Sequence, residues 1–183
     1  MKRFFLITIL GIVTMIALFS CNKENSQEKL RKNELSLLDE FISIHYPDSI
    51  PKPSGLYYIE EKAGTGDSTI VPGDLVQIFY SYWVNNGSDS IFIEETYGFM
   101  EGFRLEPEEF IVYPANQLSS SSALSILETP GLHEAITYMK QGTVANLVLP
   151  SEIAFGTGGS YYVYGFSTIL MRLEVYKVYR ANN

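Results

Sequence analysis

From Leu75 to Val84 the sequence alternates with a period of two: Val76, Ile78, Tyr80, Tyr82 and Val84 share one face, while Gln77 and Ser81 mark the other. A segment of this period buries its apolar side as one strand of a sheet. Val71-Pro72-Gly73-Asp74 turns the chain into it, and Asn85-Asn86-Gly87 turns it back, because Asn-Gly tolerates the positive φ of a tight hairpin. An antiparallel neighbour is therefore expected. Tyr80 points with the apolar set, so its ring faces the core and its hydroxyl needs a partner there.

Other strands follow from the same signals. Leu56 to Glu61 has strand composition and is closed by Gly64-Thr65-Gly66-Asp67; Val144 to Leu149 is stopped by Pro150. Thr168 to Tyr179 places Ile169, Met171, Leu173 and Val175 opposite Arg172 and Glu174. Ile91-Phe92-Ile93 and Phe110-Ile111-Val112 read as short strands inside an irregular stretch, residues 88–128, whose Ser119 to Ser122 has no period. Residues Thr129 to Gly142 predict one helix, with Thr129 as cap, Pro130 in the first turn, Lys140 in the last and Gly142 in the left-handed stop. Several strands with one short, late helix describe an antiparallel α+β domain.

Ahead of this domain, Leu30, Leu37, Leu38, Phe41 and Ile44 recur at helical spacing among charged residues, and Pro47, Pro51 and Pro53 make the following segment extended. The chain itself opens with Lys2 and Arg3, an apolar run from Phe4 to Phe19, and Cys21, the only cysteine of the 183 residues. Leu18-Phe19-Ser20-Cys21 resembles the lipobox of bacterial lipoproteins, which implies cleavage before Cys21 and lipid on its thiol. Acyl chains bury about 0.8 kcal/mol per CH2, so several of them hold a protein to a membrane durably. Residues 1–20 are thus expected to be a signal peptide, 21–54 a lipid-anchored stalk and amphipathic helix, and 55–183 the domain. Asn22 is not the aspartate linked to inner-membrane retention, so the cell envelope, and within it the outer membrane, is the expected location.

Charge and motifs exclude other classes. The net charge of −8 becomes more negative once Lys2 and Arg3 are removed, so nucleic acid is not an expected partner. His133-Glu134 opens like a zinc-protease motif, but Thr137 stands where the second histidine is needed, and neither glycine-rich turn carries the lysine of a phosphate loop. No metal and no cofactor are expected.

The segments also agree with one family in order and spacing. Pro72-Gly73-Asp74-Leu75-Val76-Gln77-Ile78-Phe79-Tyr80-Ser81, Asn85-Asn86-Gly87, Pro130-Gly131-Leu132 through Met139-Lys140-Gln141-Gly142, Leu149-Pro150-Ser151-Glu152-Ile153-Ala154-Phe155-Gly156, and Ser167 to Val175 resemble successive motifs of the FKBP-type peptidyl-prolyl isomerases. Gly55-Leu56-Tyr57-Tyr58 is similar to the start of that domain in lipid-anchored FKBP proteins of Bacteroidetes.

The resemblance implies an FKBP-like, twisted antiparallel half-barrel sheet wrapped on one short helix, preceded here by the N-terminal helix, with a pocket between sheet and helix. It implies Tyr80, Leu132 and Phe155 as catalytic residues, and Phe92 or Ile93, Thr129 and Met171 as substrate-binding ones, with Tyr161, Tyr162 and Tyr164 of the glycine-rich loop as a lid. Proline-containing polypeptides would be the clients.

Several positions depart from the family pattern. Leu132 replaces a tryptophan, Phe155 a tyrosine whose hydroxyl contacts ligand, Met171 a phenylalanine, and Thr129 an isoleucine whose backbone amide binds ligand. Glu108 replaces an aromatic residue, and Glu94 is the candidate for the family's pocket aspartate. Two functions follow: an isomerase that assists folding of exported proteins, or a catalytically weak or inactive peptide-binding or chaperone module of an envelope complex.

Overall fold

The computed structural model describes residues 26–87, 90–96 and 106–181, so Cys21 and the expected signal peptide lie outside the described residues. The chain divides into two compact units, Met1–Lys32 and Asn33–Asn183. Helix α1 (Ser26–His45) begins in the first and continues into the second. The second unit holds strands β1 (Tyr57–Lys62), β2 (Leu75–Val84), β3 (Ile91–Glu95) and β4 (Glu108–Ile111), helix α2 (Pro130–Thr137), then β5 (Val144–Leu149) and β6 (Ile169–Tyr179).

The six strands form one antiparallel sheet in the order β1-β5-β6-β2-β3, with β4 also paired to β2. β6 occupies one edge of β2, so β3 and β4 share the other: β3 lies against Ser81–Val84 and β4 against Leu75–Ile78. Among the described residues, neither strand pairs with Phe79 and Tyr80. The inner face carries the alternating set read from the sequence, with Val76, Ile78, Tyr80, Tyr82, Leu147, Ile169, Met171, Leu173 and Val175 buried in one cluster against Leu132, Ala135 and Ile136 of α2. Each large side chain fully buried there contributes roughly 1.5–3 kcal/mol relative to exposure.

α1 covers part of the outer face. Leu38 and Ile42 pack with Val148 and Leu170, and with the partly buried Phe41, Tyr57 and Trp83. The predicted apolar stripe shifts in the process: Ile44 is exposed, and the buried row is Glu34, Leu38 and Ile42, four residues apart. Glu34 read as part of the solvated face because its partners come from distant segments.

α2 is shorter than predicted. It ends at Thr137, where the N–H of Tyr138 and of Met139 turn back to Ala135 and Ile136, and Met139 is swallowed by the core. Gly142 does take a left-handed φ of 86°, but it turns the chain into β5 and donates to Val175 O instead of closing the helix. Thr129 does stand at the N-cap, but its side chain makes no capping bond: its hydroxyl donates to Ile126 O at 2.7 Å, in the 3-10 turn Ile126–Glu128 just before. That turn has its own capping box, Ser125 with Glu128.

Candidate functional site

Tyr80 of β2 is buried on the inner face. On the edge away from β6, its backbone N–H donates to Thr96 Oγ1 at 2.8 Å, and its carbonyl accepts from the N–H of Thr96 at 2.8 Å. One residue thereby supplies what a ladder partner would. The Tyr80 hydroxyl donates to Glu94 Oε1 at 3.0 Å, and the Tyr82 hydroxyl reaches Glu94 Oε2 at 3.4 Å. Glu94 faces inward because β3 is bulged: Tyr82 stands opposite Glu94 while the next residue, Trp83, stands opposite Phe92. Glu108, opposite Ile78, flanks Tyr80 from the β4 side.

Burial, followed by the negative charges of Glu94 and Glu108, pushes the Tyr80 phenol far above its ordinary value; burial and Glu94 do the same to Tyr82. Both phenols stay protonated and act as fixed donors. Neither phenol is a proton-transfer group near neutral pH.

Leu132, Phe155 and Met171 belong to the same buried cluster as Tyr80, each from a different element: α2, the segment after β5, and β6. Ile93 packs against that cluster from the bulge, partly buried. Phe92 is corrected: it is half exposed, and its ring meets Trp83 edge-on at 6.0 Å, on the other side of the sheet from Tyr80. The bulge decided between the two. Thr129 is fully buried, but its N–H already donates to Ile126 O at 3.2 Å. Tyr161, Tyr162 and Tyr164 are 88%, 72% and 90% exposed, so they stand off the floor rather than cover it.

Sequence reasoning missed two small members of the same buried cluster. Ala123, in the long segment between β4 and α2, and Val163, between the exposed tyrosines, are both buried in the cluster of Tyr80, Leu132 and Phe155. Ser120 and Ser121 lie close to Gly156, about 3.2 Å from where a β-carbon would sit. The loop carrying Val163 is pinned by Ser160 N–H to Val163 O at 2.7 Å and Phe166 N–H to Gly156 O at 3.0 Å. Tyr80, Phe155, Leu132 and Met171 are accordingly no more than 2% exposed. An isolated Ala or Val in a polar loop gives no periodic signal by which to find it.

A separate hollow of about 320 Å³ opens beside α2, lined by Phe110, Tyr113, Leu118, Leu127 and His133. His133 Nδ1 accepts from the Tyr113 N–H at 3.0 Å, so Nε2 carries the proton and donates to Leu127 O at 2.8 Å. Burial lowers its pKa. Both nitrogens are therefore occupied by backbone. Among the described residues, no group of three or more His, Cys, Asp or Glu side chains is arranged to hold a metal ion.

An open antiparallel sheet of six strands on one short helix is the FKBP-type peptidyl-prolyl isomerase fold, and this chain has it. Among solved structures it is similar to a peptidyl-prolyl cis-trans isomerase from Pseudomonas syringae pv. tomato, at 19% identity and TM-score 0.60, covering 87% of this chain and 100% of that one. It is likewise similar to FkpA from Escherichia coli, at 22% identity and TM-score 0.60, over 92% of this chain and 71% of that one. No protein-family model matches the sequence, and no curated protein matches it. At such identities the likeness carries the fold, and the chemistry has to be argued from the site.

Proposed function

We propose that this chain is a peptidyl-prolyl cis-trans isomerase, anchored at the cell envelope through lipid on Cys21 and acting on proline-containing segments of exported proteins. The observation that carries this reading is the Tyr80–Glu94 hydrogen bond set over an apolar floor of Leu132, Phe155 and Met171.

The barrier to turning a prolyl bond comes from amide resonance, about 18–20 kcal/mol, and the uncatalysed change takes tens to hundreds of seconds. A twisted amide has lost part of its resonance dipole, so a dry, apolar surface favours it over the planar form. Catalysis then requires shape and low polarity, with no nucleophile, metal or proton transfer. Tyr80, held neutral and oriented by Glu94, supplies a rigid aromatic wall for such a surface.

The burial of that floor favours a second reading in particular. With Tyr80, Leu132, Phe155 and Met171 no more than 2% exposed and no hydroxyl on Phe155, the domain would hold extended segments without turning them quickly. Exchange spectroscopy on an Xaa-Pro peptide, with the lipidated chain in detergent, separates the two. Cis-to-trans exchange well above the uncatalysed rate is expected. A rate at background, together with suppressed aggregation of an unfolded client, would overturn the isomerase and leave the holding module.

A further inference from the structure

Glu34 is a carboxylate buried to 3% exposure on α1, which precedes every strand of the sheet in the chain. Its Oε1 accepts from the N–H of Ser151 at 2.6 Å and from the Thr168 hydroxyl at 3.2 Å, and its Oε2 accepts from the Ser151 hydroxyl at 2.7 Å. Charge-assisted bonds of this length are among the stronger ones in a protein.

Both partners lead straight to the floor of the pocket. The Ser151 carbonyl accepts from the N–H of Ala154 at 3.1 Å and of Gly156 at 2.7 Å, the two residues that flank Phe155. Holding Ser151 therefore fixes the turn that aims the Phe155 ring. Thr168 immediately precedes β6, three residues before Met171, and its carbonyl accepts from the N–H of Asn85 at 2.9 Å, at the end of the strand that carries Tyr80. The same helix reaches that point a second time, since Asn85 Nδ2 donates to Leu37 O at 3.1 Å.

We infer that Glu34 is a positioning residue of the pocket, setting from the outer side the turn that presents Phe155 and the strand that presents Met171. The inference rests on the prolyl-isomerase reading for its effect on rate, but its geometric part stands apart from that reading. It makes α1 a working part of the site, where the sequence placed it with the tether.

The test compares Glu34→Ala, Glu34→Gln and Leu38→Ala in the full lipidated chain in detergent, reading kcat and KM on an Xaa-Pro peptide and amide hydrogen exchange at Ala154 and Gly156. Glu34→Ala should speed exchange at both amides by about tenfold or more, the scale of one lost hydrogen bond, and lower kcat more than it raises KM. Glu34→Gln should recover most of this, because its carbonyl still accepts from the Ser151 N–H and its amide can donate to the Ser151 hydroxyl. Leu38→Ala loosens the same helix without touching Ser151, and should lower Tm while leaving both readouts close to wild type.

Wild-type exchange in Glu34→Ala, or equal effects in Glu34→Ala and Leu38→Ala, would overturn the inference. If the wild type turns no prolines, the isomerase reading falls and the exchange arm alone decides the role of Glu34. If Glu34→Ala does not fold, Ser151→Ala, which removes only the hydroxyl arm, decides by the same measure.

Discussion

Tyr80 on β2 and Glu94 on β3 are joined hydroxyl to carboxylate at 3.0 Å, and Tyr82 shares the same carboxylate at 3.4 Å. The pair ties β2 to β3 beside the residues with which, among the described residues, neither β3 nor β4 pairs, and it fixes the orientation of the buried Tyr80 ring. Tyr80→Phe keeps the ring and frees it. The expected outcome is a loss of about tenfold in kcat/KM, corresponding to about 1.4 kcal/mol, with about 1 kcal/mol lost in stability because Glu94 is exposed and can be rehydrated. Exchange spectroscopy and urea unfolding check the two halves.

Leu132 is completely buried and shared between floor and core. Leu132→Ala should cost about 2–5 kcal/mol in unfolding free energy, whereas Leu132→Met, which conserves volume, should cost less than about 1.5 kcal/mol. Denaturant midpoints at constant m-value report the difference.

The burial of Ala123 is testable in the same way. A carboxylate cannot stay at a position that is 3% exposed within the apolar cluster, so Ala123→Glu should expel its segment, with a loss of about 1–3 kcal/mol in stability. Peptide affinity should rise at the same time, read by fluorescence anisotropy of a labelled Xaa-Pro peptide. An affinity that falls with stability would mean that the segment forms part of the binding surface.

Phe155 gives the complementary test. Phe155→Tyr adds a hydroxyl at a ring that is 1% exposed, and with no partner it should lower stability by about 1–3 kcal/mol. An unchanged Tm with tighter peptide binding would show that the floor opens readily in solution.

His133 makes stability pH-dependent. Its pKa is lowered in the fold by burial from the ordinary 6.5, so the unfolded chain binds a proton that the folded one refuses. Its contribution is therefore fully present above pH about 6.5, and is lost as pH falls from there through the depressed folded value. Protonation would also take Nδ1 away from the Tyr113 N–H. Urea midpoints should drop between pH 7 and 5 in the wild type and flatten in His133→Gln, which can keep both backbone contacts without titrating.

The strands were legible because their signals are local. The predicted segments Leu75–Val84 and Val144–Leu149 coincide with β2 and β5, since a period of two bounded by Pro, Gly or Asn-Gly leaves little choice. α2 was legible at its start, where Pro130 fixes the first turn, and misread at its end, where burial of Met139 rather than the Gly142 stop decided the exit. Phe92 and Ile93 could not be told apart before the bulge was seen, because inserting one residue into a strand flips every side chain after it.

The sequence by itself determined the antiparallel α+β sheet, the inward face of β2 and the aromatic centre at Tyr80, because alternation, turn residues and β-branched runs act over a few positions. Only the tertiary structure decided that Glu34 is buried, since its partner Ser151 lies 117 positions further along, and that Ala123 and Val163 join the core. A carboxylate on a helix reads as solvated until the N–H and hydroxyl groups that replace its water have been placed, and a small apolar residue in a loop is part of a core only when the fold brings that core to it.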